Sequence, residues 1–131
     1  PAPTAVTPLT SGVGAKFSLP AVDGGTLFRG AFSYRIDVPE GTSRLIVRLQ
    51  SDVQAADTDL FVRFGEDTEV DGDGNVVSDH AATSRLADET IIIDAASSPA
   101  LRAGRYFISI AQFTPRIPVT GTITATLERA T

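Results

Sequence analysis

Among its 131 residues the chain has no cysteine, no methionine, no tryptophan and only one histidine. Without cysteine, neither a disulfide framework nor a thiolate metal site is available. Stability must then come from burial alone, and a chain of this length hides roughly two-thirds of its extended surface on folding, enough for one domain with one core. The lone histidine lies in Ser78-Asp79-His80. Catalytic triads converge from separated parts of a chain, so three adjacent residues read as polar loop, and the expectation is that the domain is not an enzyme. No apolar run approaches the ~20 residues of a membrane span, and no membrane insertion is expected. Basic residues stand singly in a chain of net charge −5. That is a poor match for a phosphate backbone or an anionic bilayer, which excludes nucleic acid as an expected partner. Helical periodicity with end caps is also missing. The absence of methionine together with a start at Pro1 reads as a piece of something longer, or a mature fragment.

What is present is alternation. Pro1–Pro8 carries three prolines and two threonines, a composition that favours extended, solvated backbone and predicts an interdomain linker. The folded domain is expected over residues 9–131. Phe28–Pro39 places Phe32, Tyr34, Ile36 and Val38 on one face, with Ser33, Arg35 and Asp37 on the other. Pro39-Glu40-Gly41-Thr42 is a turn. Arg44–Gln50 alternates Leu45, Val47 and Leu49 against Arg44, Ile46 and Arg48. Asp59–Gly65 repeats the pattern with Leu60, Val62 and Phe64 inward and Phe61 and Arg63 outward. Glu66–Ala82 is polar, acidic and glycine-rich, and predicts an irregular excursion or hairpin. Glu89–Asp94 is apolar on both faces, which predicts a central strand. Arg105–Phe113 and Thr120–Glu128 complete the set, the latter with Ile123, Ala125 and Leu127 inward and a row of threonines outward. The sum is an all-β, antiparallel, jelly-roll-like β-sandwich of about eight strands.

Three clusters carry possible chemistry. Asp71-Gly-Asp-Gly-Asn75 sets side-chain oxygens at alternate positions, with glycines that let a loop curl around a hard cation. It departs from the EF-hand pattern, because Val76 stands at the glycine position and Ala82 at the bidentate glutamate position. The competing reading is a tight turn held by its own Asp71, Asp73 and Asn75 side chains. Asp57 and Asp59 form a second acidic pair at a strand entry, where carboxylates also cap backbone N–H groups. Ca2+ is the candidate cofactor of both clusters. The third is a strip of Phe61 and Arg63 on one strand and Arg105 and Phe107 on another. If those strands are neighbours, the strip would suit stacking on a sugar ring or a polypeptide. Period-2 reading alone leaves Tyr106 and Phe107 unassigned between faces. The threonine row Thr120, Thr122, Thr124, Thr126 is explained by strand propensity and cross-strand pairing.

Six segments follow one another in an order that resembles the bacterial pre-peptidase C-terminal domain. They are Leu9-Thr-Ser-Gly-Val13, Ile36-Asp-Val-Pro-Glu-Gly41, Leu45-Ile-Val-Arg-Leu49, Asp57-Thr-Asp-Leu-Phe-Val-Arg-Phe-Gly65, Glu89-Thr-Ile-Ile-Ile93 and Gly104-Arg-Tyr-Phe-Ile-Ser-Ile110. The resemblance spans about Leu9 to Glu128. It departs from the family in lacking the frequent cysteine pair and in having Asp88-Glu89 where Asn-Glu is common. The resemblance implies a non-catalytic ancillary domain of a secreted or cell-surface bacterial protein, often a peptidase. It would assist export or maturation, or dock to a collagen-like protein or a polysaccharide. In the collagen-binding relatives, acidic residues near this strand entry take part in calcium binding, which is what the resemblance implies for Asp57 and Asp59. The expected partners are neighbouring domains of the parent chain, and the domain is expected to be a monomer. The alternative is a structural or adhesive spacer of a cell-surface protein.

Overall fold

Alternating apolar and polar side chains build two sheets, and the apolar halves of both face each other. The computed structural model describes residues 6–21, 26–28, 33–53, 57–73, 75–83, 88–112 and 118–129. The strands are β1 (Thr7–Pro8), β2 (Ala15–Leu19), β3 (Thr26–Phe28), β4 (Tyr34–Val38), β5 (Thr42–Ser51), β6 (Thr58–Phe64), β7 (Glu69–Val70), β8 (Val76–Val77), β9 (His80–Ala82), β10 (Glu89–Asp94), β11 (Gly104–Gln112) and β12 (Val119–Arg129). One sheet has the order β1-β4-β11-β6-β9, with β3 also pairing to β11. The other has the order β10-β5-β12-β2. Apart from the parallel pair β1–β4, the pairings are antiparallel. The fold is all-β and sandwich-like, as the alternation predicted.

From β4 onward the long strands switch sheet at each step: β4, β6 and β11 lie in the first sheet and β5, β10 and β12 in the second. The β4–β5 crossing is the turn predicted at Pro39–Thr42. Gly41 adopts φ +85°, which a glycine takes without steric cost. The Thr42 hydroxyl donates to the Pro39 carbonyl at 2.8 Å and closes the turn.

The core is the inner face of both sheets. Tyr34, Ile36 and Val38 of β4, Leu60 and Val62 of β6, and Tyr106, Ile108 and Ile110 of β11 meet Leu45, Val47 and Leu49 of β5, Ile91 and Ile93 of β10, and Ile123 and Ala125 of β12. These are the inward sets expected from period 2, and Tyr106 resolves to the core while Phe107 is half-buried on the outer side. Phe32 and Phe113 lie outside the described residues.

Three expectations need correction. Glu89–Asp94 is an edge strand, among the described residues pairing only with β5, and Ile92 is 52% exposed. Its outward side chains Thr90 and Ile92 are left uncovered, so two apolar faces did not mean two buried faces. Ser33 is fully buried rather than exposed, because the segment after β6 covers its face and brings Asp67 within 3.5 Å. Thr7 and Pro8, inside the segment read as linker, extend the first sheet by pairing with Tyr34 and Arg35.

Candidate functional site

Asp59 sits on β6 with its carboxylate drawn into the protein, only 8% exposed. Among the described residues its Oδ1 has no hydrogen-bond partner. Burial pushes its pKa up to about 6, and the negative charges of Asp57 and Glu89 act in the same direction. Glu89 opens β10 on the same inward side as Ile91 and Ile93, which is why an acidic residue is buried there. The two sheets thus bring a carboxylate each to one end of the sandwich, with Asp57 beside them. Glu89 was the residue missed in the sequence. Its signal was its place at the head of the inward alternation Glu89–Ile91–Ile93. Among the described residues, however, no three acidic or imidazole groups gather closely enough to hold a metal ion.

Asp71, Asp73 and Asn75 are elsewhere, in the turn that joins the two-stranded ribbon β7–β8. Asp71 Oδ1 accepts the backbone N–H groups of Asp73 (2.9 Å) and Asn75 (3.0 Å), while Asp71 N–H donates to the Asn75 carbonyl at 2.8 Å. That carboxylate oxygen is therefore already employed in holding its own turn.

The aromatic and arginine strip does assemble, since β6 and β11 are neighbours and Arg63 lies opposite Phe107. It is not open. Phe61 is 6% exposed, because the segment after β6 folds back over this face. Thr68 donates its hydroxyl to Ser109 at 2.5 Å, and Ser109 donates to Asp67 at 3.3 Å. Arg63 is drawn to the same segment by Glu66, by Glu69 at 3.2 Å and by the Asp67 carbonyl at 3.0 Å. Arg105 is exposed but pairs with Asp37 at 2.8 Å, and that hydrogen bond, with the charges of Arg105 and Arg35, holds the Asp37 carboxyl below its ordinary pKa. The expected ligand strip is corrected to a face closed by the polar excursion.

His80 is half-buried on β9, opposite Val62. Its neighbour Asp79 is structural: its carboxylate accepts Phe64 N–H and its own N–H donates to the Val62 carbonyl, both at 2.9 Å. A different surface offers open polar groups. On the outer face of β5 and β12, Ile46, Arg48, Gln50, Thr124, Thr126 and Glu128 line a recess of about 360 Å³. The sequence placed Arg48 and the threonines outward, but it did not say that their strands are partners.

Compared with solved structures, the chain is similar to the pre-peptidase C-terminal domain of a collagenase from Bacillus anthracis, with a TM-score of 0.61 over 96% of this chain and 99% of that one. The fold is that of a pre-peptidase C-terminal domain. Identity to that pre-peptidase C-terminal domain is 10%, so the likeness lies in the fold. A surface-associated copper-binding protein of Methylomicrobium album BG8 is also similar, with a TM-score of 0.53 at 11% identity over 93% of this chain and 98% of that one. No protein-family model matches the chain, and neither does any curated protein. The resemblance read from the six ordered segments is borne out in three dimensions.

Proposed function

We propose that the chain is a non-catalytic ancillary domain of an exported bacterial protein, which docks its neighbour to an extracellular polymer, either a collagen-like protein or a polysaccharide. The observation that carries this reading is the end-to-end correspondence with a pre-peptidase C-terminal domain of a collagenase: each chain covers nearly the whole of the other. The recess on the outer face of β5 and β12 is a polar groove along a sheet, which suits an extended ligand lying beside the strands. The test is adsorption of the purified domain to insoluble collagen and to a panel of insoluble polysaccharides. Retention by one of them supports docking. Retention by none overturns it in favour of a spacer between domains.

Calcium stabilisation belongs to the same proposal, centred on Asp57 and Asp59 rather than on the Asp71 turn. Asp59 supplies a buried oxygen without a partner among the described residues, under the influence of neighbouring carboxylates. Oxygen donors of this kind suit a hard cation, which would offset their mutual repulsion. Millimolar calcium added to the chelator-treated domain is expected to raise Tm by on the order of 5 °C, with magnesium giving less. Asp59→Asn removes the response, whereas Asp71→Ala with Asp73→Ala keeps it. No calcium response in the unsubstituted domain removes the metal from the proposal. Copper is a poor fit by donor chemistry, since the chain has one histidine and neither cysteine nor methionine.

A further inference from the structure

Among the described residues, the outer face of the second sheet differs from that of the first in having nothing folded over its centre. Along β5 the outward residues are Arg44, Ile46, Arg48 and Gln50, and the register sets them opposite Glu128, Thr126, Thr124 and Thr122 of β12. At one end, Arg44 and Glu128 form an ion pair at 3.5 Å. Beyond it, Ile46 has Thr126 on one side and the exposed Ile92 of β10 on the other. Next comes Arg48 between Thr90 and Thr124, and then Gln50 beside Thr122, which has Lys16 of β2 on its far side. From Arg44 to Gln50 the array runs about 20 Å, at ~3.4 Å per residue. The recess of about 360 Å³ lies within it. Among the described residues Arg48, Gln50, Thr124 and Thr126 make no side-chain hydrogen bond, and Arg48 makes no ion pair.

We propose that this β5–β12 groove binds an acidic polysaccharide, with Arg48 holding a uronate carboxylate and Gln50, Thr124 and Thr126 bonding to ring hydroxyls. The inference rests on the docking reading and names its surface and its ligand class. Hydroxyl and amide side chains both donate and accept, and so do sugar hydroxyls, so each can satisfy the other in either orientation. Glu128 is paired with Arg44, so Arg48 leaves this groove locally cationic although the molecule as a whole carries −5, and its planar fork matches a carboxylate. The aliphatic bar of Ile46 and Ile92 can receive the C–H face of a ring. Among the described residues no aromatic side chain lines the groove, so a neutral sugar would have no stacking platform and the charged contact becomes the discriminating one. An acidic polypeptide shares the carboxylate but not the dense hydroxyls, which leaves the threonines and Gln50 without a purpose.

The test titrates the domain with a short oligogalacturonate, a neutral oligogalactoside and an oligoglutamate, by calorimetry and by amide chemical-shift mapping. Expected is binding of the oligogalacturonate, with perturbed amides centred on β5 and β12. Arg48→Glu should weaken it about tenfold or more, and Thr124→Val with Gln50→Ala should weaken it further, with unchanged thermal unfolding in both variants. Binding of the neutral sugar as tightly as the acidic one, equal binding of oligoglutamate, no binding of the oligogalacturonate, or indifference to Arg48→Glu would each overturn the inference. The docking reading is separable: if Arg48→Glu still adsorbs to collagen or another polysaccharide like the unsubstituted domain, the groove is wrong and docking stands. If the unsubstituted domain adsorbs to nothing and binds no oligogalacturonate, both fall.

Discussion

A single buried carboxylate sets a pH dependence of folding. The Asp59 pKa rises from 3.8 to about 6 in the folded protein, so the folded state holds its proton more tightly than the unfolded chain does. The stabilising effect of that proton is complete below about pH 4 and is lost as pH rises through about 6. A tenfold tighter hold on a proton corresponds to ~1.4 kcal/mol. At pH 5 much of that effect is already spent, so the domain should be less stable at pH 7.5 than at pH 5 by about 1 kcal/mol or somewhat less once solvent screening is allowed for. Asp59→Asn should stabilise the domain at pH 7.5 in calcium-free buffer and flatten the profile, as read by denaturant unfolding at both pH values. An unchanged profile in Asp59→Asn would assign the dependence to another group. Gly121 is a second sensitive position. A Cβ there would collide with the Gln50 carbonyl and meet the Phe17 ring at 2.6 Å, so Gly121→Ala must displace backbone. The expected loss is about 1–3 kcal/mol in denaturant unfolding.

At the scale of the element, β10 shows where pattern reading succeeds and where it stops. Period 2 sorted Ile91 and Ile93 from Thr90 and Ile92, but an apolar side chain on the second face cannot reveal whether anything lies over it. Nothing among the described residues covers Ile92. Ile92→Lys should therefore change stability by no more than about 0.5 kcal/mol, whereas Ile93→Ala should cost about 2–5 kcal/mol. Equal and large losses in both would restore the central position. The same limit governs the sites. Inward sets such as Leu45-Val47-Leu49 were legible because alternation is local. The cover over Phe61 was not, because it depends on where Thr68 and Asp67 return after a polar stretch with no period of its own. The turn at Asp71–Asn75 was legible as a turn from its residue types. Its competition with metal binding needed the hydrogen bonds to Asp71. The charge of Glu89 acting on Asp59 couples strands of different sheets and has no mark in either segment alone.

Across the whole molecule the two outer faces are unequal, and that asymmetry decides which surface is available. The face of β6 and β11 is closed by a segment that engages Ser33, Arg63 and Ser109. The face of β5 and β12 stays open, with Arg48 unengaged among the described residues. A closed face stabilises the fold and an open one is free to bind, so substitutions on the two should separate stability from adsorption. Phe61→Ala removes a buried ring and should cost about 3–5 kcal/mol, yet the folded fraction should adsorb to polymer as the unsubstituted domain does. Arg48→Ala removes an exposed cation and should leave unfolding within about 0.5 kcal/mol while reducing adsorption. Measuring unfolding and adsorption on both variants distinguishes the faces. If Phe61→Ala loses adsorption per folded molecule and Arg48→Ala does not, the covering segment must open when ligand binds, and the first sheet is the docking surface after all.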